Sequence, residues 1–111
     1  MGRFIYAGDT YADFDDRLLM HLQQVIGMKL RRNESFTFSW RQDPSIGGGR
    51  TTVWLHPRAA IVFKYSGSRA SQVNRLWLEA LMYTANQPTG LHVVPEPPEI
   101  GEGDRDPDAL L

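Results

Sequence analysis

The fold is decided by the stretch from Ser35 to Tyr65. It reads SFTFSWR (35–41), a loop QDPSIGGGR (42–50), TTVWLH (51–56), a break at Pro57-Arg58 and AIVFKY (60–65). The three runs are rich in β-branched and aromatic residues, and Gly and Pro separate them, which is the pattern of strands joined by turns. In the first run the apolar side chains of Phe36, Phe38 and Trp40 alternate with polar ones. One face of this strand is therefore apolar, and the other faces solvent. The sequence predicts an antiparallel meander of three strands.

Working outward toward the N-terminus, two short strands are expected at 3–7 and 10–14, around a Gly8-Asp9 turn. A helix follows at 15–32, because apolar residues recur there at steps of three and four. Acidic residues precede this helix, basic residues fill its last turn, and Asn33 is a suitable left-handed stop.

Toward the C-terminus, Ser71 is the expected N-cap of a second helix, and the breakers at 86–90 end it. The buried stripe of that helix is expected to begin at Val73, and a last strand covers 91–94. The predicted fold is α+β: a mostly antiparallel sheet with two helices packed on one face, in the order ββαβββαβ. Residues 1–95 are expected to form one domain, and 96–111 are expected to form an acidic, disordered tail.

Composition narrows the class of protein. The chain has 111 residues and no cysteine, which excludes disulfides, thiolate metal sites and cysteine nucleophiles. It contains no run of 18 apolar residues and no signal-peptide core, so we expect a cytoplasmic protein without a membrane partner. The net charge of −1 hides an asymmetry, since 96–111 holds six acids and one base, whereas 1–95 carries a net +4.

Seven residues are candidates for a binding surface. The pair at the end of the first helix and the pair flanking the Gly-rich loop are cationic, and arginine grips phosphate or carboxylate well. Tryptophans on strands can stack on bases. The two helices must cover an aromatic face of the sheet, however, so a core position is the favoured interpretation for both Trp40 and Trp54. The candidates are Arg31, Arg32, Trp40, Arg41, Arg50, Trp54 and His56.

The sequence assembles no catalytic or metal site. His21 is expected to be a structural residue of the first helix, and His56 has no serine or acid at a telling spacing. The Gly-rich loop opens a strand rather than a helix, so it does not fit a P-loop. No cofactor is predicted.

Several stretches together resemble a family of short actinobacterial proteins of unknown function. They include KLRRNESF (29–36), Ser39-Trp40 and WLHP (54–57), and the similarity covers about residues 2–95. Members are sometimes labelled ATP-dependent DNA ligase. The chain does not support that label, because neither Lys29 nor Lys64 stands in a Lys-x-Asp-Gly motif. The resemblance implies one domain and brings no functional residues with it.

Three functions remain open from the sequence. The first is a small non-catalytic binding or adaptor domain whose partner is another protein or a second copy of itself. The second is a nucleic-acid-associated module that uses a basic and aromatic face of the sheet. The third is an enzyme with a pocket around His56 and the Gly-rich loop, which is less favoured because no nucleophile–base pair is present.

Overall fold

The order of elements follows the local patterns of the sequence. The computed structural model describes residues 1–68 and 72–98, except for the side chain of Ile46. The described elements, in chain order, are β1 (Gly2–Tyr6), β2 (Thr10–Phe14), α1 (Asp16–Arg31), β3 (Phe36–Arg41), a 3₁₀ turn (Pro44–Ile46), β4 (Arg50–Leu55), β5 (Ile61–Lys64), α2 (Arg75–Ala85) and β6 (Leu91–His92). The predicted order ββαβββαβ and the α+β class are confirmed.

The strands form two three-stranded sheets. The first sheet has the order β2-β1-β5 and is antiparallel throughout, and the second has the order β4-β3-β6, with β6 parallel to β3. The predicted meander is therefore wrong at its third strand, because β5 leaves β4 and pairs with β1. The turn between them, closed by a hydrogen bond from the Ala59 N–H to the His56 carbonyl, carries the chain across to the other sheet. Alternation fixes which face of a strand is apolar, but it does not choose the neighbour.

The core lies where the inner faces of the two sheets meet the two helices. The Phe4 ring of β1 packs edge-on against Phe38 at 5.2 Å and against Trp40 at 5.7 Å between ring centroids. The helix α1 packs against α2 and β1, and α2 packs against β6 and β3. Both helices contribute side chains to the same core as Phe38, so the helices cover one face of the second sheet and leave its other face uncovered.

The second helix begins later than predicted. Ser71 lies outside the described residues, and α2 starts at Arg75 with Asn74 as its N-cap. The Asn74 side chain accepts hydrogen bonds from the backbone N–H groups of Leu76 and Trp77, at 3.0 and 3.3 Å. Val73, predicted to be buried, is instead exposed. Asn74 lies before the first helical turn because its backbone is extended (φ −97°, ψ 104°), and its backbone N–H donates to the buried His21 ring.

Two other local predictions are confirmed. The first helix runs from Asp16 to Arg31, and Asn33 has the positive φ of 60° that was expected for its stop. Glu96, the first residue of the predicted tail, accepts hydrogen bonds from Arg17 and Asn74. Residues 99–111 lie outside the described residues.

Candidate binding surface

Two arginines lie directly opposite each other on adjacent strands of the second sheet. Arg41 of β3 is the register partner of Arg50 of β4, and both are exposed. The N–H of Gln42 donates to the Gly49 carbonyl at 2.6 Å, which makes the next pair along, Arg41 with Arg50, a pair without mutual hydrogen bonds. In such pairs the Cα atoms approach to about 4.5 Å and the side chains lie closest. Like charges in this arrangement are destabilising.

The two arginines belong to a wider polar surface on the uncovered side of the second sheet. Two residues away along the strands Ser39 faces Thr52, with 2.7 Å between their hydroxyl oxygens, and His92 of β6 lies beside Ser39. The next row holds Trp54, which is 57% exposed and faces Thr37. We call this surface the open face, and its members are Thr37, Ser39, Arg41, Arg50, Thr52, Trp54 and His92.

The positive charge of the open face is not neutralised by neighbouring acids. The side chains of Arg41 and Arg50 form no ion pair or hydrogen bond with the described residues. Asp13 borders them in the cleft and is already bound to Arg3, whose Nε and Nη2 donate to its two oxygens at 2.7 and 3.1 Å. Asp9 and Asp43 line an adjoining cavity with Arg41, and among the described residues neither forms an ion pair with it. The hydrogen bond from Arg3 lowers the pKa of Asp13, so that carboxylate stays ionised and paired. A paired cationic site without a counter-ion is suited to bind an anion.

A cleft opens beside the arginine pair, where the short β6 ends and β3 continues. Its volume is about 680 Å³, and its walls combine the rings of Phe14 and Trp40 with Arg41, Arg50 and His92. Apolar walls with a few convergent polar groups are typical of ligand sites. The cleft is continuous with the open face, because three of these five residues belong to both.

The structure brings three of the seven predicted candidates together on the open face: Arg41, Arg50 and Trp54. The expectation that Trp54 belongs to the core is wrong, whereas Trp40 is 7% exposed and lies in the core, where it also borders the cleft. The odd-numbered residues of β3 and the even-numbered residues of β4 point outward, which separates the two tryptophans. Trp40 and Trp54 therefore do not form one aromatic surface, because one lies in the core and the other faces solvent.

The other candidates lie elsewhere. His56 follows the end of β4, six residues from Arg50, which is roughly 20 Å along an extended strand. The cleft next to Arg41 and Arg50 is bordered by His92 instead. Arg31 and Arg32 are exposed at the end of α1, on the helical side of the second sheet.

Sequence reasoning missed Thr37, Ser39, Thr52 and His92 as members of the open face. Alternation alone places Thr37 and Ser39 on the same face as Arg41, and Thr52 on the same face as Arg50, so a signal for these three was present. His92 could not be found in this way, because its place depends on the parallel pairing of β6 with β3.

A second polar cluster is structural. The buried His21 ring donates from Nδ1 to the Arg17 carbonyl at 2.7 Å and accepts at Nε2 from the Asn74 N–H at 2.8 Å, which satisfies both ring nitrogens of a neutral histidine. Arg17 and the Asn74 amide both donate to the Glu96 carboxylate. Hydrogen bonds from Arg17, and then from Asn74, lower the pKa of Glu96 to about 2. We call these four residues the clasp, since they tie the exit from β6 to the beginnings of both helices.

Two kinds of feature are absent from the described ranges, 1–68 and 72–98. Neither helix there has the length and apolar character that crossing a bilayer requires. Within those ranges no three His, Asp or Glu side chains converge as metal ligands would.

The comparisons with known proteins give a family and nothing more. The model of a family described as Domain of unknown function (DUF7882) matches residues 1–96. No curated protein and no solved structure matches the chain. The match spans all of the described strands and helices.

Proposed function

We propose that this chain, which belongs to the family described as Domain of unknown function (DUF7882), is a non-catalytic module that binds single-stranded nucleic acid. The proposal rests on Arg41 and Arg50, which are neighbours on adjacent strands and form no ion pair with the described residues. They lie on the same face as the exposed Trp54. Single-strand binders combine cations that track the phosphates with an aromatic ring on which a base stacks. The open face supplies both.

The spacing of these groups supports the proposal. Trp54 and Arg50 lie four residues apart on β4, which is about 13 Å along the strand. Thr52, Ser39 and His92 fill the distance between them with groups that can hydrogen-bond to sugars, phosphates or base edges. One end of the face thus offers a stacking platform and the other a phosphate grip. With a single exposed tryptophan, we expect modest affinity and little sequence preference.

The adaptor alternative has weaker support. The open side of the first sheet carries an apolar row formed by Tyr11, Ile5 and Val62. Three side chains beside the Arg3–Asp13 ion pair are a small patch, whereas stable protein interfaces bury about 800 Å² on each partner. The enzyme alternative requires His56 to work with Arg41 and Arg50. His56 follows the end of β4, whereas Arg50 begins that strand and Arg41 of β3 pairs with Arg50.

The test is binding of the full chain to a fluorescent single-stranded ten-nucleotide DNA, measured by anisotropy across a salt series. The double variant Arg41→Gln/Arg50→Gln should flatten the slope of log affinity against log salt by about 1.4, since each phosphate contact contributes about 0.7 for single strands. Trp54→Ala should weaken binding about 5- to 150-fold and leave that slope unchanged, because stacking releases no counter-ions.

The matched control is Arg31→Gln/Arg32→Gln, which removes the same charge from the helical side of the second sheet. It should keep the wild-type slope. The proposal fails if the full chain does not bind DNA even at low salt. It also fails if both arginine double variants lose affinity equally, because net charge rather than the open face would then explain binding.

A further inference from the structure

The last two residues of β3 form an open sheet edge, because no described strand pairs with them on the side of β6. The two residues of β6 pair with Phe38 and Ser39, and β3 continues for two more residues without a neighbour on that side. The bond from Gln42 to Gly49 fixes the parity, so the even-numbered residues of β3 direct their backbone groups toward β4. The N–H and C=O of Arg41 therefore point toward the cleft. An extended segment could add to the sheet there, in line with β6.

The walls of the cleft indicate which kind of segment fits. Phe14 and Trp40 supply apolar surface, and Arg41 and Arg50 supply unpaired positive charge. Every fully buried side-chain nitrogen of the described residues has a hydrogen-bond partner. The Trp40 indole N–H has no partner among those residues, so it reaches solvent, where it is a free donor. An extended segment that carries several carboxylates and a few apolar side chains complements this site.

We infer that the cleft is an intramolecular docking site for the acidic segment 99–111 of this same chain. That segment has five acids, one base and the apolar pair Leu110-Leu111. Its chemistry therefore matches both the cations and the apolar walls of the cleft.

Length and starting point support this occupant. The clasp fixes Glu96 against Arg17 and Asn74, so the segment departs from a defined place. Pro98 is six residues beyond His92, which borders the cleft, and is therefore within about 20 Å of it. The 13 residues from 99 to 111 span up to about 43 Å when extended, which is enough to return to the cleft. A tether of this length also gives a high effective concentration.

Docking would cover Arg41 and Arg50. If the proposed function holds, the segment competes with nucleic acid for the arginine pair and lowers the apparent affinity of the full chain. The docking itself does not depend on that function, and it can be tested without nucleic acid.

The experiment uses the full chain with a nitroxide spin label on Ala109→Cys, which is a unique attachment site because the chain has no cysteine. In ¹⁵N NMR spectra of this protein, the Trp40 indole and the backbone amides of Arg41 and His92 should lose most of their intensity. Added salt or the double variant Arg41→Gln/Arg50→Gln should restore it. Arg31→Gln/Arg32→Gln should not, and well-dispersed spectra show that each variant is folded.

Three results would overturn the inference: no broadening near the cleft, broadening that survives the loss of Arg41 and Arg50, or equal broadening around Arg31 and Arg32. A mixed sample of spin-labelled ¹⁴N protein and unlabelled ¹⁵N protein separates contact within one chain from contact between copies. Broadening in that mixture would assign the docking to a second copy and would also overturn it. None of these outcomes bears on DNA binding, so failures of the two proposals can be told apart.

Discussion

At the scale of single residues, side-chain direction and backbone conformation decide what each position can do. Trp40 and Trp54 are chemically identical, yet one is buried in the core and the other offers its ring to solvent. Glycine shows the same dependence on place. Gly8 and Gly90 have nearly the same left-handed φ, 84° and 83°, but Gly8 has open space around it, whereas Gly90 lies against Thr37. Only the tertiary structure distinguishes the members of each pair.

The two glycines give a matched prediction. Gly8→Ala should cost roughly 1 kcal/mol of unfolding free energy, the strain of a left-handed alanine. Gly90→Ala should cost about 1–3 kcal/mol more, because its Cβ would collide with the Thr37 hydroxyl and lie 2.6 Å from the Thr37 carbonyl oxygen. Urea denaturation of both variants measures the difference. Equal losses would show that the loop before β6 moves away from β3 without cost.

At the scale of elements, the clasp joins three segments that are distant in the sequence. Asn74 caps α2, donates its backbone N–H to the His21 ring on α1, and donates through Nδ2 to Glu96 after β6. A capping side chain contributes about 0.5–2 kcal/mol. The ionised form of Glu96 is the one that these contacts stabilise, because Arg17 and Asn74 both donate to it.

The clasp predicts how stability depends on pH. The folded protein lowers the pKa of Glu96 from 4.5 to about 2, so the stabilisation is fully present above about pH 4.5. It is lost as the pH falls through about 2, because the unfolded chain binds the proton first. Urea denaturation at several pH values should therefore show a shallower fall for Glu96→Gln than for the wild type between these limits. A residual fall is expected from Asp16, whose pKa is lowered by the N–H groups of Gly67 and Ser66.

Glu79→Gln is the control for this measurement, because it removes an exposed carboxylate of α2 that makes no hydrogen bond with the described residues. Its curve should follow the wild type. A wild-type slope in Glu96→Gln would show that the contacts with Arg17 and Asn74 do not persist in solution.

At the scale of the whole molecule, aromatic rings join the two sheets. Phe38 of β3 is fully buried and contacts Phe4 of β1, Phe14 of β2 and Trp40 of its own strand. Because rings from both sheets share one core with the helices, neither sheet can separate without exposing them. The described part of the chain should therefore unfold as one unit.

The variant Phe38→Ala tests this coupling. It should lower the unfolding free energy by about 3–5 kcal/mol, the usual cost of removing a buried phenylalanine ring. Tryptophan fluorescence and far-ultraviolet circular dichroism should report the same urea midpoint, since Trp40 and Trp77 lie in the same core. Tyr83→Ala, which removes an exposed ring from α2, should change stability by less than about 0.5 kcal/mol. Two separate transitions would mean that the sheets unfold independently.

The sequence by itself determined the elements. Alternation in 35–41 identified the buried face of β3, apolar periodicity located α1, and Asn33 marked its end, because each depends on neighbours a few residues away. It also selected Arg41, Arg50 and Trp54 as candidates, although for Trp54 it favoured the core. The tertiary structure alone decided that β5 joins β1, that β6 runs parallel to β3, and that α2 starts after Asn74. These outcomes depend on which backbone edge and which buried ring lie nearby in space, and a local pattern carries no information about them.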